Sequence, residues 1–147
     1  MEWIYDDGGR AAAGFRGHTG DCVARSIAIA TEVPYRKVYD GLNELAAFER
    51  PRRRRRSNSR LGVQPVTYRR WLQQAGWAWT PTMGIGTGCR VHLVEGELPE
   101  VPRLVVRLSK HLTAVVDGVI HDTHDPSRAG SRCVYGWWSP APIPGIG

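Results

Sequence analysis

The stretch His111-Leu112-Thr113-Ala114-Val115-Val116-Asp117-Gly118-Val119-Ile120-His121-Asp122-Thr123 sets two apolar runs on either side of Asp-Gly. That dipeptide is a strong hairpin signal, because both residues accept the positive φ angles of a two-residue turn. Such a turn makes Val116 face Val119, Val115 face Ile120, Thr113 face Asp122 and His111 face His124. Side chains alternate between the faces of a sheet, so His111, Thr113, Ile120, Asp122 and His124 share one face, with Asp122 diagonal to His111 at about 7 Å or less between Cβ atoms. A carboxylate there reaches the imidazole, fixes its tautomer and favours its charged form. Asp125, near the strand end, is the alternative partner.

Far upstream, Gly20-Asp21-Cys22-Val23-Ala24-Arg25-Ser26-Ile27-Ala28-Ile29-Ala30 runs from a glycine turn into an amphipathic helix over about 22–32, with Val23, Ala24, Ile27, Ala28 and Ala30 on one stripe. Asp21 or Thr19 is the expected cap. A thiol at a helix start meets unpaired N–H groups and the positive end of the dipole, and both favour a thiolate. If His111 folds against Cys22, the two make a nucleophile and its base.

Between these stretches, Pro34 opens a second helix carrying Val38, Leu42 and Leu45, and Pro65 opens a third carrying Val66, Tyr68, Trp71 and Leu72 that stops at Gly76. Residues 1–19 lack a period and read as an extended leader. Strand signals follow from Trp77: a short run at Arg90–Val94, a central strand at Leu104–Leu108, the hairpin, and a last strand within Cys133–Trp138. Helices first and antiparallel strands second predict an α+β domain spanning 1–147 as one unit. Residues 49–61 read as a solvated basic loop insertion and 139–147 as a flexible Pro-rich tail.

The chain has 147 residues, a formal charge of +6, 18 Arg and 2 Lys. Six Arg lie in Arg50-Pro51-Arg52-Arg53-Arg54-Arg55-Arg56, so the positive charge is local and the remainder is near neutral. The run Arg52, Arg53, Arg54, Arg55 and Arg56 suits phosphates or an acidic protein as well as plain solvent. No apolar run is long enough for a membrane span, and the first residues lack a secretory signal, so a soluble, cytoplasmic protein is expected. Three cysteines fit reduced thiols better than a disulfide framework, with Cys89 and Cys133 structural.

The Gly-Asp-Cys element before an Ala- and Ile-rich helix, together with the His-Leu-Thr-Ala-Val-Val-Asp-Gly-Val-Ile-His-Asp-Thr hairpin, resembles the papain-like cysteine peptidase superfamily in its small phage and bacterial forms. The likeness covers roughly residues 15–40 and 104–138. It implies a papain-like α+β fold, Cys22 as nucleophile, His111 as general base and Asp122 as orienting acid, in a bacterium or an infected bacterial host. It also implies a peptide or protein substrate cleaved through a thioester, with acyl transfer as a related outcome and no cofactor. Papain-like enzymes usually place a Gln five or six residues before the nucleophile as an oxyanion donor, and Arg16 and Gly17 stand there. Backbone near Asp21 and Cys22, with His18 or Thr19, is the substitute expected.

Two competing chemistries are weaker. Cys89-Arg90-Val91-His92 and His121-Asp122-Thr123-His124 have zinc-like spacing, but on strands His121 and His124 point to opposite faces, so no metal is expected. Gly84-Ile85-Gly86-Thr87-Gly88 lacks the helix and Lys-Ser/Thr pair of a phosphate loop. The alternative function is a catalytically silent papain-like domain whose Arg run binds nucleic acid or an acidic partner.

Overall fold

A computed structural model describes residues 1–50 and 55–141. The elements are β1 (Trp3–Tyr5), α1 (Cys22–Thr31), α2 (Tyr35–Ala46), α3 (Pro65–Gln74), β2 (Trp77–Pro81), β3 (Val91–His92), β4 (Arg103–Leu108), β5 (His111–Val116), β6 (Val119–Asp122), β7 (Cys133–Val134) and β8 (Gly136–Pro140). Six strands form a sheet in the order β1-β6-β5-β4-β8-β2, antiparallel except for the β1–β6 pair, while β3 and β7 form a separate ribbon. This is an α+β architecture.

The hairpin has the register that its Asp-Gly turn dictates, with Val116 opposite Val119 and Val115 opposite Ile120. Asp117 and Gly118 carry φ of 49° and 79°, the left-handed pair that a twisted two-residue turn requires. Strand alternation then divides the core. Val105, Leu112, Ala114 and Trp138 pack against Val23, Ala24, Ile27, Val38, Leu42 and Leu72 of the helices. Leu104, Val106, Leu108, Val115 and Ile120 pack on the other face with Val134 of the ribbon and Leu93, which directly follows β3. β4 sits inside the sheet, paired with β5 on one side and β8 on the other, with Leu104, Val106 and Leu108 making one wholly apolar face and Val105 the buried apolar residue of the other.

Four readings are corrected. The first residues are not all leader: Trp3–Tyr5 pairs in parallel with Ile120–Asp122, too short a strand for any period to show. The last strand is two, because the chain leaves the ribbon at Tyr135 and joins the main sheet at Gly136. Ser139 and Pro140, expected in the tail, pair with Ala78 and Trp77 in β2, and residues 142–147 lie outside the described residues. Cys89 and Cys133 are joined in a disulfide with Cα atoms 5.8 Å apart, so Cys22 is the free cysteine.

The far side of the expected loop insertion is also built into the fold. Ser59, fully buried, donates through its hydroxyl to the Tyr39 carbonyl at 2.6 Å, and its N–H donates to Asn43 Oδ1 at 2.8 Å. Small polar residues here satisfy the backbone of α2 rather than solvent, a use that composition does not distinguish from a solvated loop.

Leu42 is fully buried between the helices and the sheet. Leu42→Ala should lower unfolding free energy by about 2–5 kcal/mol, measured by urea denaturation.

Candidate active site

Cys22 is the first residue of α1 and is half-buried. The turn before it is held by the segment that leads into α3: the Gly20 N–H donates to the Arg60 carbonyl at 2.6 Å, and the Thr19 hydroxyl donates to the same oxygen at 3.1 Å. A Cβ on Gly20 would lie 3.0 Å from the Leu61 carbonyl oxygen, so glycine is what lets the two backbones approach. The clamp places Leu61, Gly62 and Val63 in one wall of a cleft of about 610 Å³ that also contains Cys22 and His111.

Neither expected cap forms. Asp21 occupies the N-cap position without a side-chain capping bond, and the Thr19 hydroxyl is turned to Arg60. The Asp21 carboxylate instead accepts from Arg25 Nη1 at 3.0 Å and from the Tyr35 hydroxyl at 2.7 Å. Arg25 is only 6% exposed, and an unpaired buried guanidinium would cost several kcal/mol, more than the roughly 1 kcal/mol of a missing cap. The first N–H groups of α1 consequently lack a side-chain partner and adjoin the thiol.

Arg25 also donates through Nη2 to Asp122 Oδ1 at 3.0 Å. Asp122 is fully buried and its oxygens are fully engaged: Oδ1 further accepts from the Thr123 N–H at 2.7 Å, while Oδ2 accepts from the Thr113 hydroxyl at 2.7 Å and from His111 Nε2 at 2.8 Å. With Nε2 committed to Asp122, Nδ1 is the ring nitrogen left to interact with Cys22, which lines the same cleft. A continuous polar path thus runs from Tyr35 through Asp21, Arg25 and Asp122 to His111, which shares the cleft with Cys22.

Burial opposes the charged forms of Cys22, His111 and Asp122, and the neighbours overcome it. It pushes the Cys22 thiol up, but the His111 hydrogen bond and charge, the Leu112 N–H and the Arg25 charge hold it below its ordinary value. Burial pushes His111 down, whereas the hydrogen bonds and charges of Asp122 and Cys22 raise it to about 9. Burial likewise raises Asp122, and its bonds to His111 and Thr113 with the charges of His111 and Arg25 bring it below the ordinary carboxylate range. These directions favour the thiolate–imidazolium pair over the neutral one. Tyr35, raised by burial and by its bond to Asp21, stays protonated and keeps donating.

The structure therefore brings Cys22, His111 and Asp122 together. Asp125 is elsewhere, accepting from the Ser127 N–H at 2.9 Å. His18 is exposed and outside the cleft wall, with its carbonyl accepting from Arg60 Nε at 3.0 Å, while Thr19 lines the cleft. Arg55 and Arg56 are exposed, and Arg52, Arg53 and Arg54 lie outside the described residues. His124 lies over His111 with ring centroids 5.1 Å apart, and donor atoms of His111, Asp122 and His124 fall within 4.8 Å of one another. A metal there would compete with the His111–Asp122 hydrogen bond.

Sequence reasoning missed Arg25 and Tyr35. Arg25 did leave a signal: it is the sole charged residue within Cys22–Thr31, four positions after Asp21. Arg107 and Lys110 in the cleft wall were also missed, and they make its surroundings cationic.

No family model, curated protein or solved structure matches this chain.

Two measurements test the network. Arg25→Met should destabilise the chain by about 3–5 kcal/mol in chemical denaturation, because it strands the Asp21 and Asp122 carboxylates. In Asp122→Asn, NMR titration should show His111 falling from about 9 toward its ordinary 6.5. The raised His111 contributes stability that is complete below about 6.5 and lost as pH rises through about 9, so the variant should flatten stability across that window.

Proposed function

We propose that this chain is a papain-like cysteine hydrolase acting on a peptide or isopeptide amide through a thioester. The observation that carries this reading is the Cys22–His111–Asp122 series in an open cleft, with the thiol on a helix start and the imidazole oriented from behind. Papain-like architecture is supported by the same arrangement, a nucleophile helix packed on an antiparallel sheet that carries the base.

The Cys22 thiolate attacks the amide carbonyl carbon, and its π electrons move to oxygen. Uncapped N–H groups at the start of α1, Cys22's own first, are suited to receive that oxyanion. As the C–N bond breaks, the proton on His111 Nδ1 passes to the leaving nitrogen, which gives a thioester and a neutral imidazole. Water then loses a proton to Nδ1 and attacks the thioester, and collapse releases the acid with the thiolate restored. An amine in place of water gives acyl transfer. Asp122 stays ionised and holds the ring, since Arg25 and Thr113 stabilise its charge.

Two carboxylates, one guanidinium and one imidazolium balance, so the thiolate leaves the network with one net negative charge. Arg107 and Lys110 in the cleft wall help offset it.

Labelling with an iodoacetamide probe across pH should modify Cys22 with an apparent pKa well below about 8.5, and His111→Ala should raise that pKa and slow labelling at pH 7 by about 10-fold or more. Turnover of a peptide-amide library should fall above about pH 9, where His111 loses the proton needed by the leaving amine, and should vanish in Cys22→Ala. Labelling confined to alkaline pH and unaltered in His111→Ala would overturn the hydrolase reading in favour of a silent binding domain.

A further inference from the structure

Away from the cleft, the ribbon of β3 and β7 gathers a second set of reactive side chains. Cys133 and His92 are cross-strand partners in it, and Cys89 approaches from the preceding loop. His92 Nε2 lies 3.6 Å from Cys89 Sγ, and the other ring nitrogen, Nδ1, lies 3.3 Å from Glu97 Oε1. Two sulfurs and an imidazole nitrogen thus converge, with a carboxylate behind the imidazole. The set differs from the pairing that spacing alone suggests, because His121 Nδ1 bonds Asp6 at 2.9 Å and His124 sits beside Asp122.

We propose that, with the disulfide reduced, Cys89, Cys133 and His92 form a zinc site, with water as the fourth ligand. Zn–S bonds of about 2.3 Å and Zn–N bonds of about 2.0–2.1 Å at a tetrahedral angle place sulfur and nitrogen about 3.6 Å apart. That matches the Cys89–His92 separation already present. The two sulfurs must part to about 3.8 Å for the same geometry, and Cys89 is exposed on a loop, where the backbone has room to yield. Glu97 then accepts from His92 Nδ1–H, fixing the tautomer that presents Nε2 to the metal, the usual outer-shell arrangement.

The chemistry balances. In a reducing compartment two equivalents of a small thiol convert the Cys89–Cys133 bond to two thiols and leave as their own disulfide. Zinc binding then releases the two thiol protons. Either form ties the loop before β3 to β7, whose neighbour Tyr135 donates its N–H to the Arg107 carbonyl in β4 at 2.9 Å. The ribbon is therefore locked by a covalent bond under oxidising conditions and by a metal under reducing ones.

The test uses the full chain carrying Cys22→Ser, so that the remaining thiols are those of the ribbon and the result is independent of the hydrolase reading. After phosphine reduction without oxygen, Co²⁺ titration should give a thiolate charge-transfer band saturating at one metal per chain, displaced by Zn²⁺. His92→Ala should weaken binding by 100-fold or more, and Glu97→Gln should weaken it by about 10–100-fold while leaving thermal stability of the oxidised form unchanged. Absence of the band in reduced protein, or an affinity unmoved by His92→Ala, would overturn the site and leave a plain disulfide.

Discussion

The guanidinium of Arg25 is the point at which helix and sheet are held together. It rises from α1, is almost completely buried, and divides its charge between Asp21 at the mouth of the helix and Asp122 on β6. Hydrophobic packing of α1 on Leu112 and Ala114 supplies attraction without direction. The fork of Arg25 supplies direction, since each carboxylate must meet one end of a planar group. Ser26 adds a second fixed point by donating to the Leu112 carbonyl at 2.8 Å. Sliding the helix along the sheet would break both sets of bonds inside the protein, where water cannot replace them.

That constraint reaches the chemistry through Asp122. A carboxylate that accepts from Arg25, Thr123, Thr113 and His111 together has no freedom to rotate, so the imidazole it holds has little either. The orientation of the imidazole beside the thiol, and the nitrogen it turns to Asp122, are both set from behind it. Low solvent access sharpens this, because each charge in the series depends on its neighbour more than it would in water. The same dependence makes the arrangement intolerant of partial loss: removing one member leaves another buried and unpaired.

Local chemistry and period made much of this legible in the sequence. The Asp117-Gly118 turn fixed a register, and register fixed which residues face Asp122, so Thr113 and His111 followed from counting. The helices were legible from Pro34 and Pro65 at their starts and from apolar spacing. Features that rest on long-range pairing were hidden. Trp3–Tyr5 becomes a strand because β6 offers an edge, the ribbon separates β7 from β8, and Ser59 is buried because α2 has backbone to satisfy. Asp21 reads as a helix cap on its own, and only the buried position of Arg25 turns it inward. Cys89 and Cys133 lie 44 residues apart, and nothing local says that they meet.

The bond between Arg25 and Asp122 spans 97 residues of chain. During synthesis at about 5–20 residues per second, Cys22 leaves the ribosome on the order of ten seconds before the strand that carries Asp122. Throughout that interval Cys22 and Arg25 lack the Asp122 and His111 neighbours they have in the fold. The buried arrangement of Arg25, Asp122 and His111 beside Cys22 therefore forms only as the β5–β6 hairpin closes, and a chain truncated before β6 lacks the carboxylate on which it is built.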